Sequence, residues 1–354
     1  MQVDYIIIGQ GICGTFLSWN LINEGRSVLV IDESNPYTAS KAASGVINPV
    51  TGRRIVRTWM IEDLLPFAWN AYMQLGNEIN APLIQQCNVL DFHPTPQMRD
   101  AFLQRLPDEK DYLQLPENDD QWQQYFRYNY GIGEVKPCLL IDLHTLLNEW
   151  RKKLQQQNIL LEKKFDFDQL TLQQSSNSVL YKNITANKII FCDGVAGFNN
   201  PYFKMLPYVR TKGEAIIASI PGLPRTNIFK QGITIVPWHN DLFWIGSNYV
   251  WDYTDAAPTA SFRKKVEDQL NYWLKIPYTI TDHIASERPA NIERRPFVGL
   301  HPVHAQVGVF NGMGTKGCSL APWFANQFAQ HLVYDKPLDL LADVKRFTRV
   351  LSNF

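Results

Sequence analysis

The N-terminal pattern of apolar runs and glycines predicts a strand, a helix and a second strand. The β-branched run Val3–Ile8 is typical of a strand buried on both faces, and glycines follow it directly. Apolar residues then recur at helical spacing within Thr15–Glu24, and Gly25 ends that helix. The run Ser27–Ile31 predicts the second strand, which ends at two acidic residues.

The glycines between the first strand and the helix form the pattern G-x-G-x-x-G. Gly9 permits a tight turn, Gly11 lets the backbone reach a pyrophosphate, and Gly14 lets the helix pack close to the strand. The helix N-terminus supplies N–H groups for the phosphates, and an acid after the second strand binds ribose hydroxyls. We choose Asp32 as that acid and Glu33 as the second candidate. The sequence thus predicts an adenine dinucleotide site, with contacts at Gly9, Gly11, Ile12, Cys13, Gly14, Asp32 and Glu33.

Composition narrows the class of protein. The 354 residues are enough to bury a sizeable core, and an aromatic content of 12% excludes a disordered chain. Lysine plus arginine and aspartate plus glutamate number 34 each, so no global charge attracts nucleic acid. Local basic clusters are more typical of solvated faces than of RNA contacts. They are Arg53–Arg54 with Arg57, Lys152–Lys153, Lys163–Lys164 and Arg263–Lys265.

The cysteines and the apolar runs predict where the protein resides. Five cysteines lie far apart without metal-ligand spacing, which predicts reduced thiols, a cytoplasmic location and no metal site. The N-terminal apolar run Tyr5–Ile8 is much shorter than the roughly 20 residues of a membrane helix. We therefore expect no membrane anchor, and the sequence leaves the oligomeric state open.

Segments in the rest of the chain indicate which dinucleotide binds. They are Ser40–Gly45, Lys188–Gly194, Lys212–Glu214, the predicted hairpin 233–247, Arg288–Gly299 and Asn311–Pro322. Together these segments resemble the D-amino-acid oxidase superfamily, the FAD-dependent amine oxidases that include glycine oxidase and sarcosine oxidase. The resemblance extends over nearly the whole chain. It implies non-covalent FAD, in keeping with a single G-x-G-x-x-G and no second site for NAD(P)H.

The resemblance also implies which further residues contact the flavin. Ser40–Gly45 matches the family segment along the flavin phosphates and ring, and Lys212–Glu214 matches the start of a substrate-domain strand. In Asn311–Pro322, a glycine-rich turn covers the flavin and Pro322 lies in the first turn of a helix, whose dipole stabilises the reduced ring. The further implied FAD contacts are Ser40, Lys41, Ala42, Ala43, Gly45, Asp193, Gly194, Gly312, Met313, Gly314, Thr315, Lys316 and Gly317.

The implied fold is α/β, or α+β overall, with two interleaved domains. A Rossmann-like FAD-binding domain would be assembled from residues 1–81, 139–204 and 285–354. A substrate domain with a mixed or antiparallel sheet would be assembled from residues 82–138 and 205–284. Both domains would contribute to one flavin site.

The implied reaction is oxidation of a C–N bond. A hydride passes from the carbon beside an amine to flavin N5, and water hydrolyses the resulting imine. Arg288 matches the family arginine that pairs with an amino-acid carboxylate, and Lys316 could add a second positive charge. These two are the candidate catalytic residues, although glycine oxidase has a second carboxylate-binding arginine where this chain has Thr315.

Three functions remain open at this stage. The first is oxidation of a small amine or an N-substituted amino acid. The second follows from Gly314–Gly317 with Ala321–Pro322, which is most similar to the FAD oxidase domain of the bifunctional tRNA wobble-uridine enzyme. That enzyme oxidises carboxymethylaminomethyl-uridine in tRNA. The third is non-catalytic FAD binding. The zero net charge favours a small-molecule amine over tRNA as partner.

Overall fold

A computed structural model describes residues 1–52 and 55–352 of the chain. The predicted basic pair Arg53–Arg54 lies outside the described residues. The α-helices are α1 (Ile12–Asn23), α2 (Ala39–Ala42), α3 (Ile61–Glu78), α4 (Pro96–Arg105), α5 (Leu143–Gln156), α6 (Ala260–Trp273), α7 (Gly317–Tyr334) and α8 (Thr348–Leu351). Short 3-10 helices span Asp120–Gln124, Phe167–Gln169, Gly194–Asn199 and Val344–Phe347.

The strands fall into two large sheets and two small ones. In chain order they are β1 (Gln2–Ile8), β2 (Val28–Ile31), β3 (Val46–Ile47), β4 (Val50–Thr51), β5 (Val56–Arg57), β6 (Ile84–Gln86), β7 (Val89–Phe92), β8 (Leu113–Gln114), β9 (Ile132–Val135), β10 (Leu139–Ile141), β11 (Leu160–Leu161), β12 (Leu170–Gln173), β13 (Ser178–Tyr181), β14 (Ile184–Phe191), β15 (Tyr208–Ser219), β16 (Ile228–Gln231), β17 (Ile233–Pro237), β18 (Phe243–Gly246), β19 (Thr279–Asn291), β20 (Phe297–Leu300) and β21 (Val307–Asn311).

The first large sheet contains the predicted β1–α1–β2 unit. Its order is β11-β2-β1-β14, and β13 and β21 both pair with β14, with β12 beyond β13 and β20 beyond β21. The pairs β11–β2, β2–β1, β1–β14 and β14–β21 are parallel. Ile7 packs into the core under α1, whereas Ile6 and Ile8 pack into a second core on the opposite face. Burial on both faces explains why this strand is apolar without alternation.

The second large sheet has the order β19-β15-β18-β17-β16-β7-β9-β8. Its strands pair antiparallel except for the parallel pair β16–β7. One face packs Ile216 and Ile245 under α6, and the other face packs Ala215 and Trp244 into the core that also contains α1. The predicted class, α/β with a Rossmann-like layer and a mixed sheet, is confirmed. The residue boundaries of the two domains stay a prediction.

The structure corrects two local predictions. Helix α7 begins at Gly317, so Pro322 lies inside the helix and not in its first turn. Proline has no N–H to donate to the carbonyl of Cys318, and the Tyr72 hydroxyl donates to that carbonyl instead at 2.9 Å. Lys212–Glu214 lies in the middle of β15 rather than at its start. This long strand pairs with β19 along its whole length, and on its other edge Lys212 forms an isolated bridge with Val250.

Candidate functional site

Two glycines of the fingerprint lie where no side chain fits. A Cβ atom on Gly14 would lie 1.9 Å from the carbonyl oxygen of Gly9. A Cβ atom on Gly9, whose φ is +97°, would lie 2.5 Å from the carbonyl oxygen of Cys192. Both distances are far below van der Waals contact, so these glycines set how closely α1 and β14 approach the turn after β1.

The N-terminus of α1 is suited to an anion. The residue at the N-cap position, Gly11, has no side chain that could cap the helix. The amide of Ile12 donates to the Ser40 hydroxyl at 3.0 Å, which brings the predicted segment Ser40–Gly45 beside the fingerprint. Cys13 contributes backbone only, because its thiol is buried and burial raises its pKa to about 12. Helix N–H groups beside a small hydroxyl are what a pyrophosphate requires.

Asp32 lies beside the fingerprint with its carboxylate already oriented. Oδ2 accepts from the Gln10 amide at 2.8 Å, and Oδ1 accepts from Arg151 Nη1 at 2.7 Å and the Ser34 amide at 2.8 Å. Burial by itself would raise the pKa of Asp32, but these donors hold it below its usual value. Glu33, the second candidate, is exposed. The geometry therefore favours Asp32 for the ribose, and Arg151 of α5 is a neighbour that the sequence did not reveal.

Replacing Arg151 with methionine is expected to raise the Kd for FAD about 10-fold, because Asp32 loses a charged donor. FMN lacks the adenosine half, so its Kd should stay unchanged. Fluorescence titration of the apoprotein measures both constants. Lys152→Met changes the exposed neighbour on the same helix and is the control. Equal losses of FAD and FMN affinity would contradict a role for Arg151 at the ribose.

The segment from Tyr37 to Gly45 joins the fingerprint to the second sheet. The Ala42 carbonyl accepts from Trp244 Nε1 at 3.0 Å, and the Tyr37 carbonyl accepts from the Ser286 hydroxyl at 2.9 Å. Ala43 and Gly45 continue this segment beside the core. The Lys41 ammonium instead donates to the Asn35 carbonyl at 2.8 Å, so it is already bonded to its own loop. The segment is thus fixed between the fingerprint and the second sheet.

A chain of hydrogen bonds connects the end of β14 to the glycine-rich turn. Burial raises the pKa of Asp193 to about 6, and its Oδ1 accepts from Asn311 Nδ2 at 3.0 Å. Asn311 also donates to the Gly194 carbonyl at 2.8 Å, and its Oδ1 accepts from the Gly312 amide at 2.8 Å. The Gly312 carbonyl accepts from Asn291 Nδ2 at 3.1 Å. The predicted contacts Asp193, Gly194 and Gly312 therefore lie together.

The glycine-rich turn approaches β19 next to Arg288. The Gly314 amide donates to the Pro289 carbonyl at 3.0 Å. Met313 is buried and Thr315 is exposed. Gly317 begins α7 beside Ile12, which places the turn against the N-terminus of α1. The turn therefore contacts both the fingerprint and the strand that carries Arg288.

The ammonium group of Lys316 is largely withdrawn from water. Its Nζ donates to the Thr58 hydroxyl at 3.3 Å, and burial lowers its pKa to about 8. The Cys138 and Cys318 thiols lie near enough to oppose this lowering. Thr58 is a second residue that the sequence did not reveal, since a lone threonine carries no motif. Among the described residues, this ammonium donates to one neutral acceptor, and a largely buried charge of this kind can bind an anion strongly.

Arg288 lies on the face of the second sheet that it shares with Thr211 and Gly213 of β15. Its guanidinium donates to the hydroxyls of Thr211 and Ser247 and to the carbonyls of Lys212 and Asn248, at 3.0–3.4 Å. Burial lowers its pKa, although an arginine stays charged at neutral pH. Within residues 1–52 and 55–352, all of these acceptors are neutral. The side chain is therefore oriented, and its charge is not neutralised.

Comparison with known proteins decides the family. The profile of the FAD dependent oxidoreductase family, DAO, matches residues 4–331. The chain belongs to this family. The DAO family is FAD-dependent, which confirms the predicted cofactor. The N-terminus of α1, Asp32 and the glycine-rich turn fit this cofactor. In this DAO protein, those residues would hold the pyrophosphate, the ribose and the flavin respectively.

Solved structures share the fold at low sequence identity. Glycine oxidase from Geobacillus kaustophilus superposes with a TM-score of 0.78 at 16% identity, covering 95% of this chain and 96% of that chain. Iminodiacetate oxidase from Chelativorans sp. BNC1 gives 0.73 at 18% identity, covering 95% and 96%. A curated relative, the uncharacterized oxidoreductase YurR of Bacillus subtilis (strain 168), is 38% identical over 56 residues. That match spans 16% of this chain and only 15% of the relative's length.

Two further observations concern membranes and RNA. Every helix within the described residues is too short or too polar to cross a bilayer. Of the eight basic side chains of these clusters that the structure describes, five are paired with carboxylates, which reduces their attraction for phosphates. The pairs are Arg57 with Glu109, Lys152 with Glu149, Lys153 with Glu78, Arg263 with Glu267 and Lys264 with Asp268. The similarity of the Lys316 segment to the tRNA enzyme stays a prediction.

Proposed function

We propose that this protein oxidises the C–N bond of an amine that also carries a carboxylate, as in an N-substituted amino acid. The bound FAD would accept the hydride at N5, and water would hydrolyse the imine product. The observation that carries the proposal is Arg288, a half-buried guanidinium whose described acceptors are all neutral. A substrate carboxylate would supply the missing counter-charge in bidentate geometry.

A small side chain and the glycine-rich turn lie beside Arg288. Ala290 is on the same face as Arg288 and its side chain is only a methyl group, whereas the space above Gly213 is filled by the guanidinium itself. The Gly314 amide donates a hydrogen bond to the carbonyl of Pro289, the residue after Arg288. The glycine-rich turn therefore lies next to Arg288. The residues of this chain would therefore bind the carboxylate at Arg288 and direct the amine toward the turn.

The names of the structural neighbours support this substrate class. Glycine oxidase, iminodiacetate oxidase and L-proline dehydrogenase are each named for a substrate with an amine and a carboxylate. At identities of 14–18%, these likenesses show fold, so the substrate class rests on Arg288 itself.

Lys316 is expected to make carboxylate binding dependent on pH. Its pKa lies at about 8, so the ammonium loses its proton and its attraction for an anion as the pH rises through that value. The Kd for benzoate, read from the flavin absorbance spectrum, should rise about 10-fold from pH 7 to pH 9.5, the effect of one nearby charge. Benzoate has no amine, so the titration of a substrate nitrogen does not enter the measurement.

Lys316→Met should remove this pH dependence and leave benzoate weakly bound at both pH values. Lys345→Met changes an exposed lysine and is the control. A pH profile that Lys316→Met leaves intact would contradict the role of Lys316.

The free energy of unfolding depends on the same titration. Between pH 8 and 10.5 the unfolded chain binds more protons than the folded one, so the free energy of unfolding should rise with pH.

Anaerobic bleaching of the flavin tests the proposed function. The panel pairs each N-substituted amino acid with the amine that lacks its carboxylate, with and without tRNA. The carboxylate-bearing amines should bleach the flavin much faster than the amines that lack the carboxylate. Bleaching that requires tRNA, together with accumulated carboxymethylaminomethyl-uridine in a deletion strain, would favour the tRNA reaction instead. A panel without any reducing amine would favour non-catalytic FAD binding.

A further inference from the structure

The tripeptide Lys212–Gly213–Glu214 of β15 points its side chains to two faces of the second sheet. Thr211 and Gly213 are on the face of Arg288, because Thr211 pairs directly with Arg288 in the antiparallel ladder. A Cβ atom on Gly213 would lie 1.7 Å from Arg288 Nη2, so the guanidinium occupies the space of the absent side chain. Lys212 and Glu214 project to the opposite face.

Residues 247–258 form a segment that we call the strap, and it contacts both faces. Its backbone pairs with β15 where Val250 and Lys212 exchange amide-to-carbonyl bonds of 2.9 and 3.0 Å. Lys212 Nζ donates to the carbonyls of Asp255 at 3.3 Å and Ala257 at 2.8 Å. Lys212 thus fixes the far end of the strap from the face opposite Arg288.

Glu214 fixes the near end of the strap and is almost completely buried. Its Oε1 accepts from Asn248 Nδ2 at 3.0 Å, and its own amide donates to Asn248 Oδ1 at 2.8 Å. Its Oε2 accepts from the Thr259 amide at 2.6 Å, and His283 Nε2 lies 3.2 Å away. The side-chain amide of Asn248 is therefore bonded at both of its polar atoms to one residue.

Asn248 transmits this anchoring to Arg288. Its main-chain carbonyl accepts from Nη1 and Nη2 of Arg288, at 3.2 and 3.3 Å. The next strap residue, Tyr249, places its ring 4.7 Å from the guanidinium carbon. The guanidinium is thus held by a segment whose orientation Glu214 sets from the other side of the sheet.

We propose that Glu214 is a positioning residue for substrate: through Asn248 it aims the Arg288 guanidinium at the substrate carboxylate. This inference rests on the proposed function, in which Arg288 binds that carboxylate. Glu214 touches neither the flavin site nor the substrate, because it is on the face that packs against Thr259 and His283. Its removal should weaken recognition of the carboxylate and leave the rest of the site intact.

The experiment compares benzoate with benzamide, its neutral isostere, as ligands of the FAD-loaded protein. Flavin absorbance gives both dissociation constants, and their ratio reports recognition of the carboxylate. In Glu214→Gln, the Kd for benzoate should rise about 10-fold while that for benzamide stays unchanged, because misaiming Arg288 removes a charge-assisted pair. Asn248→Ala is at a more exposed position and should raise the Kd for benzoate in the same way. It provides the test if Glu214→Gln does not fold.

Two comparisons separate positioning from general destabilisation. Asp91→Asn removes another buried carboxylate of the same sheet, which pairs with Lys230 at 2.7 Å, and it should leave the ratio unchanged. In an Arg288→Met background, adding Glu214→Gln should not change the ratio further, as expected for residues that act as one unit. An additional loss in that background, or equal weakening of both ligands by Glu214→Gln, would overturn the proposal. A wild-type protein that binds benzoate no better than benzamide would instead refute the role of Arg288.

Discussion

Replacing Arg288 with methionine is expected to lower kcat/KM for a carboxylate-bearing amine by about 100-fold. The loss corresponds to about 3 kcal/mol, which is typical when one partner of a buried, charge-assisted pair is removed. Steady-state kinetics with a bleaching amine from the panel measures the effect. FAD content should remain unchanged, because Arg288 bonds to β15 and the strap and not to the fingerprint.

Arg294→Met provides the matched control. It changes an exposed arginine six residues farther along the same segment. Its kcat/KM should equal that of the wild type, and the amine without a carboxylate should react equally in all three proteins. If Arg288→Met lowered the rates for both amines alike, the residue would be structural and the proposed substrate class would lose its support.

Replacing Gly14 with alanine is expected to abolish FAD binding at micromolar concentrations. The new methyl carbon would lie 1.9 Å from the Gly9 carbonyl oxygen, so the turn or α1 must move. A shift of that size displaces the N–H groups that bind the pyrophosphate, and we expect the Kd for FAD to rise at least about 100-fold. The absorbance of purified protein at flavin wavelengths and titration of the apoprotein measure the loss.

Gly25→Ala distinguishes lost binding from lost stability. Gly25 follows α1 with φ at +69° and has open space around its Cβ position. Alanine there should cost about 1 kcal/mol of unfolding free energy, because the left-handed conformation disfavours a side chain. FAD should still bind with unchanged affinity. Retention of FAD by Gly14→Ala would show that the fingerprint tolerates a wider turn than this geometry implies.

Sequence patterns predicted the fingerprint and Asp32, because consecutive residues form this part of the site. Strand, glycine turn, helix and acid follow one another within one β–α–β unit, and the structure places Asp32 beside the turn as the order predicts. Arg288 and the glycine-rich turn came from the resemblance to a family. They are held together by hydrogen bonds from the Gly314 amide to the Pro289 carbonyl and from Asn291 to the Gly312 carbonyl, which residue spacing does not encode.

The residues that the sequence did not reveal reach the site from distant segments. Arg151 contacts Asp32 across 119 positions, and Lys316 contacts Thr58 across 258. Such pairs depend on how sheets and helices assemble, so no periodicity or motif marks them. The position of Pro322 was predicted wrongly for a similar reason. Proline favours a first turn, but a distant tyrosine hydroxyl satisfies the carbonyl that Pro322 leaves free.

The arrangement of the first sheet has a consequence for synthesis of the chain. β1 pairs with β14 from Gln2 and Thr185 onward, and β14 pairs with β21 from Ile189 and Val307 onward. At roughly 5–20 residues per second, a ribosome needs about 10–40 s to make the chain from β1 to the end of β14, the strand that covers the second edge of β1. Until then the apolar β1 has an unpaired edge, which can pair with other chains. A nascent chain would therefore carry a whole fingerprint that is not yet a binding site, and it would depend on chaperones for that interval.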